Sequence, residues 1–383
     1  MMHTADLFSG FPPVHKQQWL DQITKDLKGK PLDDLYWQLG DGITVDPFAH
    51  ADEFPVPPQP LRDTAAGWEI NEDIDEPEPA AANRQALEAL SFGAESLYFN
   101  LPAHAGSLLP DPLLDGIYLD HISLQFGGPA LAGAPAAVLA ALGSRAKQEN
   151  LSTRGLRGAL HYDPEAGPGK VRDWRYLTEL LQYAGTEFPG FRCITVDGRT
   201  GYSGPRGVAG ELAGLLNRGQ AYLEKLNERG LDAGEVSRQL QFSLYVGKSY
   251  FVEIAKLRAF CLLWMNVLKG WGAAPALPAL DVRFYPDDYT DELYANMIRA
   301  TTMAMSAVLG GAQRLTVLPY DAGREAQAAY PRAFARRIAR NVQHLLKMES
   351  GFGDLADPVA GSYYIEKLTA QLAQTAWDKF RQR

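Results

Sequence analysis

Only two cysteines, Cys193 and Cys261, occur in 383 residues, far apart and each flanked by apolar neighbours. That excludes a disulfide framework and a zinc site built on thiolates, and predicts two small core side chains rather than a catalytic thiol. Also missing is any uninterrupted run of about 18 apolar residues, so no membrane-spanning helix is expected. The first ten residues lack a basic segment followed by a long apolar one, so no secretory signal is expected and a cytoplasmic location is. Positive charge is in deficit: the formal net charge is -9, with acidic residues concentrated between positions 69 and 78. A general nucleic-acid surface needs the opposite balance. The spacing of a Gly-x-Gly-x-x-Gly nucleotide loop is absent too; Gly127-Gly128 and Gly310-Gly311 read as turns.

What is present is ordinary globular material, 46% hydrophobic and long enough for a large core. Residues 1–65 read as an arm and linker. Within it lie a proline-led amphipathic helix with Trp19, Ile23 and Leu27 at helical spacing, a hairpin turning at Gly40-Asp41-Gly42, and an extended proline-rich stretch over 55–60. From residue 66 to 383 the pattern is regular. Short strands are predicted at 68–70, 96–100, 121–126, 156–161, 191–196, 239–246, 280–285 and 314–318. Helices are predicted at 81–90, 134–147, 174–183, from about 208, and at 250–268, 290–309 and 334–348. Strands alternating with helical crossovers imply parallel pairing, and eight units imply an α/β fold closed into a (β/α)8 TIM barrel carrying an N-terminal arm.

Such barrels place chemistry at the carboxyl ends of their strands. The candidates for substrate binding there are His161, Asp197, Arg199, Lys248, Tyr285 and Tyr320. Arg199 offers a planar fork to a carboxylate or phosphate, but can equally pair with Asp197. His161 can titrate near neutral pH, or serve as a structural histidine at a strand end. Asp287-Asp288 lacks histidine partners and reads as a helix cap near Thr290 or Asp291 rather than a metal site. In the helix at 250–268, Ile254, Leu257, Cys261, Trp264 and Leu268 form an apolar stripe, with Glu253, Lys256 and Arg258 facing water or a neighbouring helix.

Three segments are more specific: 251–259 (FVEIAKLRA), 298–311 (IRATTMAMSAVLGG), and 336–341 (RRIARN) together with 356–364 (ADPVAGSYY). In wording and order they resemble the barrel domain of the methylmalonyl-CoA mutase family, and with the N-terminal FSGFPPVHKQQWL they are most similar to its small, or β, subunits. The resemblance implies an adenosylcobalamin-dependent acyl-CoA mutase system interconverting methylmalonyl-CoA and succinyl-CoA. In its catalytic chains the CoA arm threads the barrel axis, and a separate domain carries an Asp-x-His-x-x-Gly motif below cobalt. That motif does not occur here, so this polypeptide is expected to bind no cofactor itself. The family's pocket residues are also replaced. Asp197-Gly198-Arg199 stands where a Gly-Tyr-His loop is expected, and His161 stands where a glutamine is. Asn71-Glu72-Asp73 lies in the region of an Arg-x-Tyr-Ala-Gly-Phe segment, and the short loop at 162–170 lacks the substrate-binding arginine.

The expectation is therefore a non-catalytic β-type subunit, with no catalytic residue of its own, forming a heterodimer with a catalytic α chain. Phe8, Phe11, Trp19 and Trp37 of the arm would wrap that partner, and the barrel pocket would be idle or occluded, with an acyl-CoA as its one candidate ligand. Two alternatives remain at this stage. One is an independent barrel lyase or hydrolase acting on an acyl-CoA or small acid through His161; the other is a split mutase barrel working with a separate cobalamin-binding subunit.

Overall fold

The computed structural model describes residue 10 and residues 13–65, 67–102, 109–166 and 173–382. The predicted hairpin forms: β1 (Trp37–Gly40) pairs antiparallel with β2 (Ile43–Val45), after helix α1 (Lys16–Asp26). Beyond it come β3 (Glu69–Ile74), α2 (Pro79–Ser91), β4 (Ser96–Asn100), β5 (Ser123–Gly127), α3 (Pro135–Gln148), β6 (Arg157–Leu160) and α4 (Trp174–Glu187). The fifth barrel strand is split into β7 (Gly190–Arg192) and β8 (Ile194–Asp197). The remaining elements are α5 (Val208–Asn227), α6 (Ala233–Gln239), β9 (Leu240–Val246), α7 (Tyr250–Gly270), β10 (Leu280–Phe284), α8 (Leu293–Gly310), β11 (Arg314–Thr316), α9 (Arg332–His344) and α10 (Tyr363–Arg381).

The sheet runs β7-β6-β5-β4-β3-β11-β10-β9-β8, parallel at every pairing. Because β7 and β8 are consecutive pieces of one strand, this order closes on itself. The break falls at Cys193, where two residues instead of one separate the outward-facing Phe191 and Ile194. That extra residue is a bulge, which lets the strand leave β6 and join β9. A (β/α)8 barrel results, as expected. Both cysteines are buried, and burial pushes their thiols up, to about 12 for Cys193 and about 11 for Cys261. Among the described residues, no helix is long and apolar enough to cross a membrane.

Outside the barrel, two features depart from the sequence reading. The final helix, α10, was not anticipated, and it covers α7 and α5. The arm is docked on it: Gln371 donates to the Thr44 carbonyl at 3.1 Å, Lys379 pairs with Asp41 at 2.8 Å, and Lys367 bonds both Asp46 and Glu53. Trp19 stacks on Phe48 at 4.6 Å within the arm, and Phe54 packs on Tyr363 at 5.4 Å. Much of the arm's apolar surface is thus spent on its own chain. Trp37 remains 44% exposed, and Phe8 and Phe11 lie outside the described residues.

With α10 and α5 packed on α7, Glu253, Lys256 and Arg258 are buried and do not face water. Lys256 is fully buried, 2.6 Å from Glu253 and 3.5 Å from Glu211 of α5, and it donates to the Tyr245 carbonyl. Arg258 bonds Asp357 and, at 2.8 Å, Glu366. One ammonium against two carboxylates leaves a charge mismatch. Burial first, then Glu253, raises the Glu211 carboxyl from 4.5 to about 7 against the pull of Lys256.

Since the folded value is raised, this carboxyl's contribution to stability is complete below about pH 4.5 and is lost as the pH rises through about 7. Glu211→Gln should remove that loss, which is on the order of 3 kcal/mol by the linkage relation. Urea denaturation from pH 4.5 to 8 should show wild type losing stability relative to the variant across this window. Parallel curves would show that Glu211 is ionised throughout.

Candidate functional site

In a parallel barrel one face of every strand must be apolar to receive the helices, so the alternate set points to the axis. Here that inward set is polar. β9 contributes Gln241, Ser243 and Tyr245, between the outward Leu240, Phe242, Leu244 and Val246. β10 contributes Asp281 and Arg283 between Leu280, Val282 and Phe284. Barrels are more often filled by layers of branched aliphatic side chains. A polar axis survives burial only if its groups satisfy one another.

Most of them do so along the axis, although Asp281 Oδ1, Arg283 Nη2 and Gln125 Oε1 have no hydrogen-bond partner. At the amino-terminal end Arg314 donates to Glu69 (2.8 Å), to Ser123 Oγ (3.2 Å) and to Gln241 Oε1 (3.2 Å). That last bond fixes the Gln241 amide, whose Nε2 lies 3.0 Å from Thr195 Oγ1 and 3.2 Å from His161 Nε2. An amide nitrogen only donates, so His161 Nε2 is the acceptor and the ring is neutral with its proton on Nδ1. Nearer the carboxyl-terminal end, Arg283 spans the axis. Its Nη1 reaches both oxygens of Asp73 (3.1 and 2.9 Å), its Nε reaches Asp281 (3.0 Å), and its guanidinium lies 4.6 Å over the Tyr98 ring. Ser243 donates to the same Asp281 oxygen at 2.8 Å, leaving Oδ1 without a hydrogen bond.

The electrostatics follow from this packing. Burial is the largest influence on Asp281 and opposes its charge, but the surrounding groups, Arg283 foremost, together outweigh it, and the carboxyl falls to about 2. Arg283 is held well above its usual range by Asp73 and Asp281 in spite of burial. Burial, together with the positive charge of Arg283 and Arg314, drives His161 down to about 3 although Asp281 pulls the other way. Of the two roles open to His161 on sequence, this environment favours the neutral, structural one, with the ring edge against Tyr98 at 4.8 Å.

Of the other sequence candidates, Asp197 ends β8 and accepts the Arg199 backbone N–H at 2.9 Å, while its carbonyl accepts from Arg218 at 2.5 Å. Arg199 therefore meets Asp197 through its backbone, and its side chain is exposed. Tyr285 stacks on Tyr202 at 4.2 Å, and Lys248 sits 3.7 Å from Asp288. Asp288 accepts from Tyr202 at 3.0 Å and caps nothing, since α8 begins only at Leu293; the capping role is corrected accordingly. The rim is tight here, because a Cβ on Gly247 would fall 2.0 Å from Asp288 and 2.1 Å from Tyr202. Tyr320 is buried against Tyr294 of α8 at 6.2 Å, away from the residues that close the axis. Part of the loop at 162–170 lies outside the described residues.

The larger cavities open at the other end of the barrel. One of about 830 Å³ is lined by Arg62, Glu69, Arg157, Arg192, Arg314 and Lys347 among others. A second of about 730 Å³ shares Glu69, Arg157, Arg192 and Arg314. Sequence reasoning passed over this end and over Tyr98, Gln241, Asp281, Arg283 and Arg314, and read Asp73 only as part of a replaced pocket segment. The legible signal was the period-two polar set in 239–246 and 280–285, which the barrel assignment forces inward.

A family model described as methylmalonyl-CoA mutase matches residues 111–382. The methylmalonyl-CoA mutase small subunit of Porphyromonas gingivalis is 32% identical over 98% of this chain and 63% of its own length. That of Streptomyces virginiae is 32% identical over 98% of this chain and 64% of its own. The methylmalonyl-CoA mutase of Cereibacter sphaeroides is 30% identical over 94% of this chain and 57% of its own. The chain thus spans slightly under two thirds of the length of these relatives.

Removing Arg283 leaves Asp281 buried without its main countercharge. Arg283→Ala should cost about 3–5 kcal/mol in urea denaturation, and Arg283→Lys should recover little because one ammonium cannot reach both Asp73 and Asp281. A loss within about 0.5 kcal/mol would show that the axis does not depend on this residue.

Proposed function

This chain belongs to the methylmalonyl-CoA mutase family, and we propose that it is the non-catalytic, β-type subunit of an adenosylcobalamin-dependent mutase that interconverts methylmalonyl-CoA and succinyl-CoA in the cytoplasm. Its role in this reading is to hold and stabilise a catalytic α chain as a heterodimer. The observation that carries the proposal is the Arg283 bridge from Asp73 to Asp281, backed by Tyr98, His161 and Gln241. The resemblance puts the CoA arm of a catalytic chain along this axis; here protein side chains occupy it, and charged ones that cannot move aside without leaving buried partners behind.

The cofactor reading rests on the same region. When bound, adenosylcobalamin would supply a carbon radical, and the resemblance implies that a histidine would hold it. At the carboxyl-terminal mouth the described histidine is His161, buried with Nε2 accepting from Gln241, which does not fit that role. In this reading the corrin belongs to the partner chain. An independent lyase or hydrolase is disfavoured because His161, at about 3, is a poor base and cannot act as an acid near pH 7. A split mutase barrel would need the axis that Arg283 closes.

The partner surface suggested by the sequence is narrowed by the fold. With the inner side of the arm spent on α10, its outer residues Val14, Leu35, Trp37 and Val56 remain exposed and are proposed to meet the catalytic chain. Co-expressed with a catalytic chain of the family, this protein should co-elute with it in size-exclusion chromatography at micromolar concentration. Trp37→Glu should weaken that complex at least tenfold while leaving the Tm of the isolated chain within a few degrees. Alone, with adenosylcobalamin and methylmalonyl-CoA, it should give no turnover. Separate elution would sink the subunit reading, and turnover by the isolated chain would sink the non-catalytic one.

A further inference from the structure

Away from the axis, at the carboxyl-terminal side of the barrel, a cavity of about 100 Å³ lies between β3, the turn after β11, and α9. Three of its lining residues are almost wholly buried and bring polar atoms that no other residue satisfies. Asp321 is 1% exposed, and neither carboxylate oxygen receives a hydrogen bond from another residue. Arg340 is 3% exposed; its Nη1 is taken by Glu72, whereas Nε and Nη2 have no acceptor. Asn71 is 2% exposed and donates to Thr316 at 2.9 Å and Asp73 at 3.2 Å, with Oδ1 left over.

These atoms are fixed in place. Asp321 sits in a turn held by Arg324 N–H to its carbonyl at 2.8 Å and by Ala322 N–H to the Pro319 carbonyl at 3.0 Å. Arg324 ties the same turn to Asp291 at 2.7 Å. Arg340 is held against Glu72, with Arg336 3.4 Å from the other Glu72 oxygen. Buried polar groups without partners are rare in folded proteins, and each costs on the order of 1–3 kcal/mol. Five such atoms around one cavity, acceptors and donors together, describe a complementary shape for something polar.

We propose that this cavity is a binding site for a small zwitterion, a short α-amino acid such as glycine, with its carboxylate on Arg340 and its ammonium on Asp321 and Asn71. The unsatisfied set dictates the class, because the ligand must accept at one end and donate at the other. Charge dictates the rest. Five carboxylates and three guanidiniums line the cavity, so a net anion is disfavoured and a neutral zwitterion is not. Size sets the upper bound: a dry cavity of about 150 Å³ takes a six-carbon ring, so this one takes about four or five non-hydrogen atoms. Burial already pushes the Asp321 carboxyl above its usual range, and a bound ammonium would reverse that. Nothing in the assignment requires a partner chain, so it stands or falls separately from the subunit reading.

The test uses the full chain, with glycine against three probes that each lack one feature: acetate, methylammonium and glycolate. In isothermal titration, glycine should bind at least tenfold more tightly than any of the three, and Asp321→Asn should weaken glycine at least tenfold with the fold intact by circular dichroism. Arg340→Lys should weaken it too, but its bond to Glu72 makes Asp321→Asn the safer variant. A crystal grown in saturating glycine should show the ligand bridging Arg340 and Asp321. Equal response to all four probes, no response to any, or density for water molecules alone would overturn the proposal.

Discussion

The barrel interior depends on one guanidinium. Arg283 reaches Asp73 with Nη1 and Asp281 with Nε, from a strand whose alternate residues are all apolar. It stands where many barrels place a branched aliphatic side chain, and a charge at that depth is tolerable only with its countercharges in contact. The neighbouring states follow. The Asp281 carboxyl is shifted toward its ionised form and the His161 ring toward its neutral one, and Gln241 is turned so that its oxygen faces Arg314 and its nitrogen faces His161. A solvated channel would impose none of these. The axis behaves as a polar core, ordered from Glu69 at one end to Asp73 at the other.

Most of the scaffold was legible because periodicity reports it directly. β4 was expected at its observed bounds, and the other strands and main helices were displaced by only a few residues at their ends. Two things were not legible. The first is α10, whose stripe of Ile365, Leu368, Leu372 and Ala376 is readable, but only once the eight units are seen not to be the whole fold. The second is the direction of polar residues. Glu253 and Lys256 look like a solvated helix face because nothing local says that α10 and α5 will close over them. Asp281 and Arg283 look like strand-end charges because alternation gives two faces without saying which is inside. Barrel closure resolves the ambiguity: the helices claim the apolar face, and whatever remains must share the axis.

The candidate site was less legible than the fold, for a related reason. A rule placing chemistry at the carboxyl-terminal mouth directs attention to Asp197, Arg199, Lys248 and Tyr285, all of which do lie there. Their contacts are with one another and with the rim: Asp197 with the Arg199 backbone and Arg218, Tyr285 with Tyr202, Lys248 with Asp288. Position on a fold supplies an address, whereas the occupant has to be read from which polar atoms are left unsatisfied. To one side of the axis the unsatisfied atoms include those of Asp321, which lies outside every motif singled out in the sequence, and of Arg340, which falls within 336–341 but was read there only as part of a family resemblance.

The segments that carry the family resemblance now have a physical account. In 251–259, Glu253 and Lys256 join α7 to Glu211 of α5, and Arg258 joins it to Asp357 and Glu366. In 356–364, Asp357 also receives the Leu61 N–H at 2.8 Å, fastening the end of the arm. In 336–341, Arg336 and Arg340 hold Glu72 on the outer face of β3. In 298–311, Gly310 lies so close to α7 that a Cβ there would fall 2.9 Å from Leu257. Each segment holds helix to helix or helix to strand, and none of these contacts touches the axis. What makes the chain recognisable is therefore the machinery of assembly, which places no demand on the residues that would do chemistry. A barrel can keep all of it while the axis closes: on β3, Glu72 is held by Arg336 and Arg340 on the outer face while its neighbour Asp73 meets Arg283 on the axis.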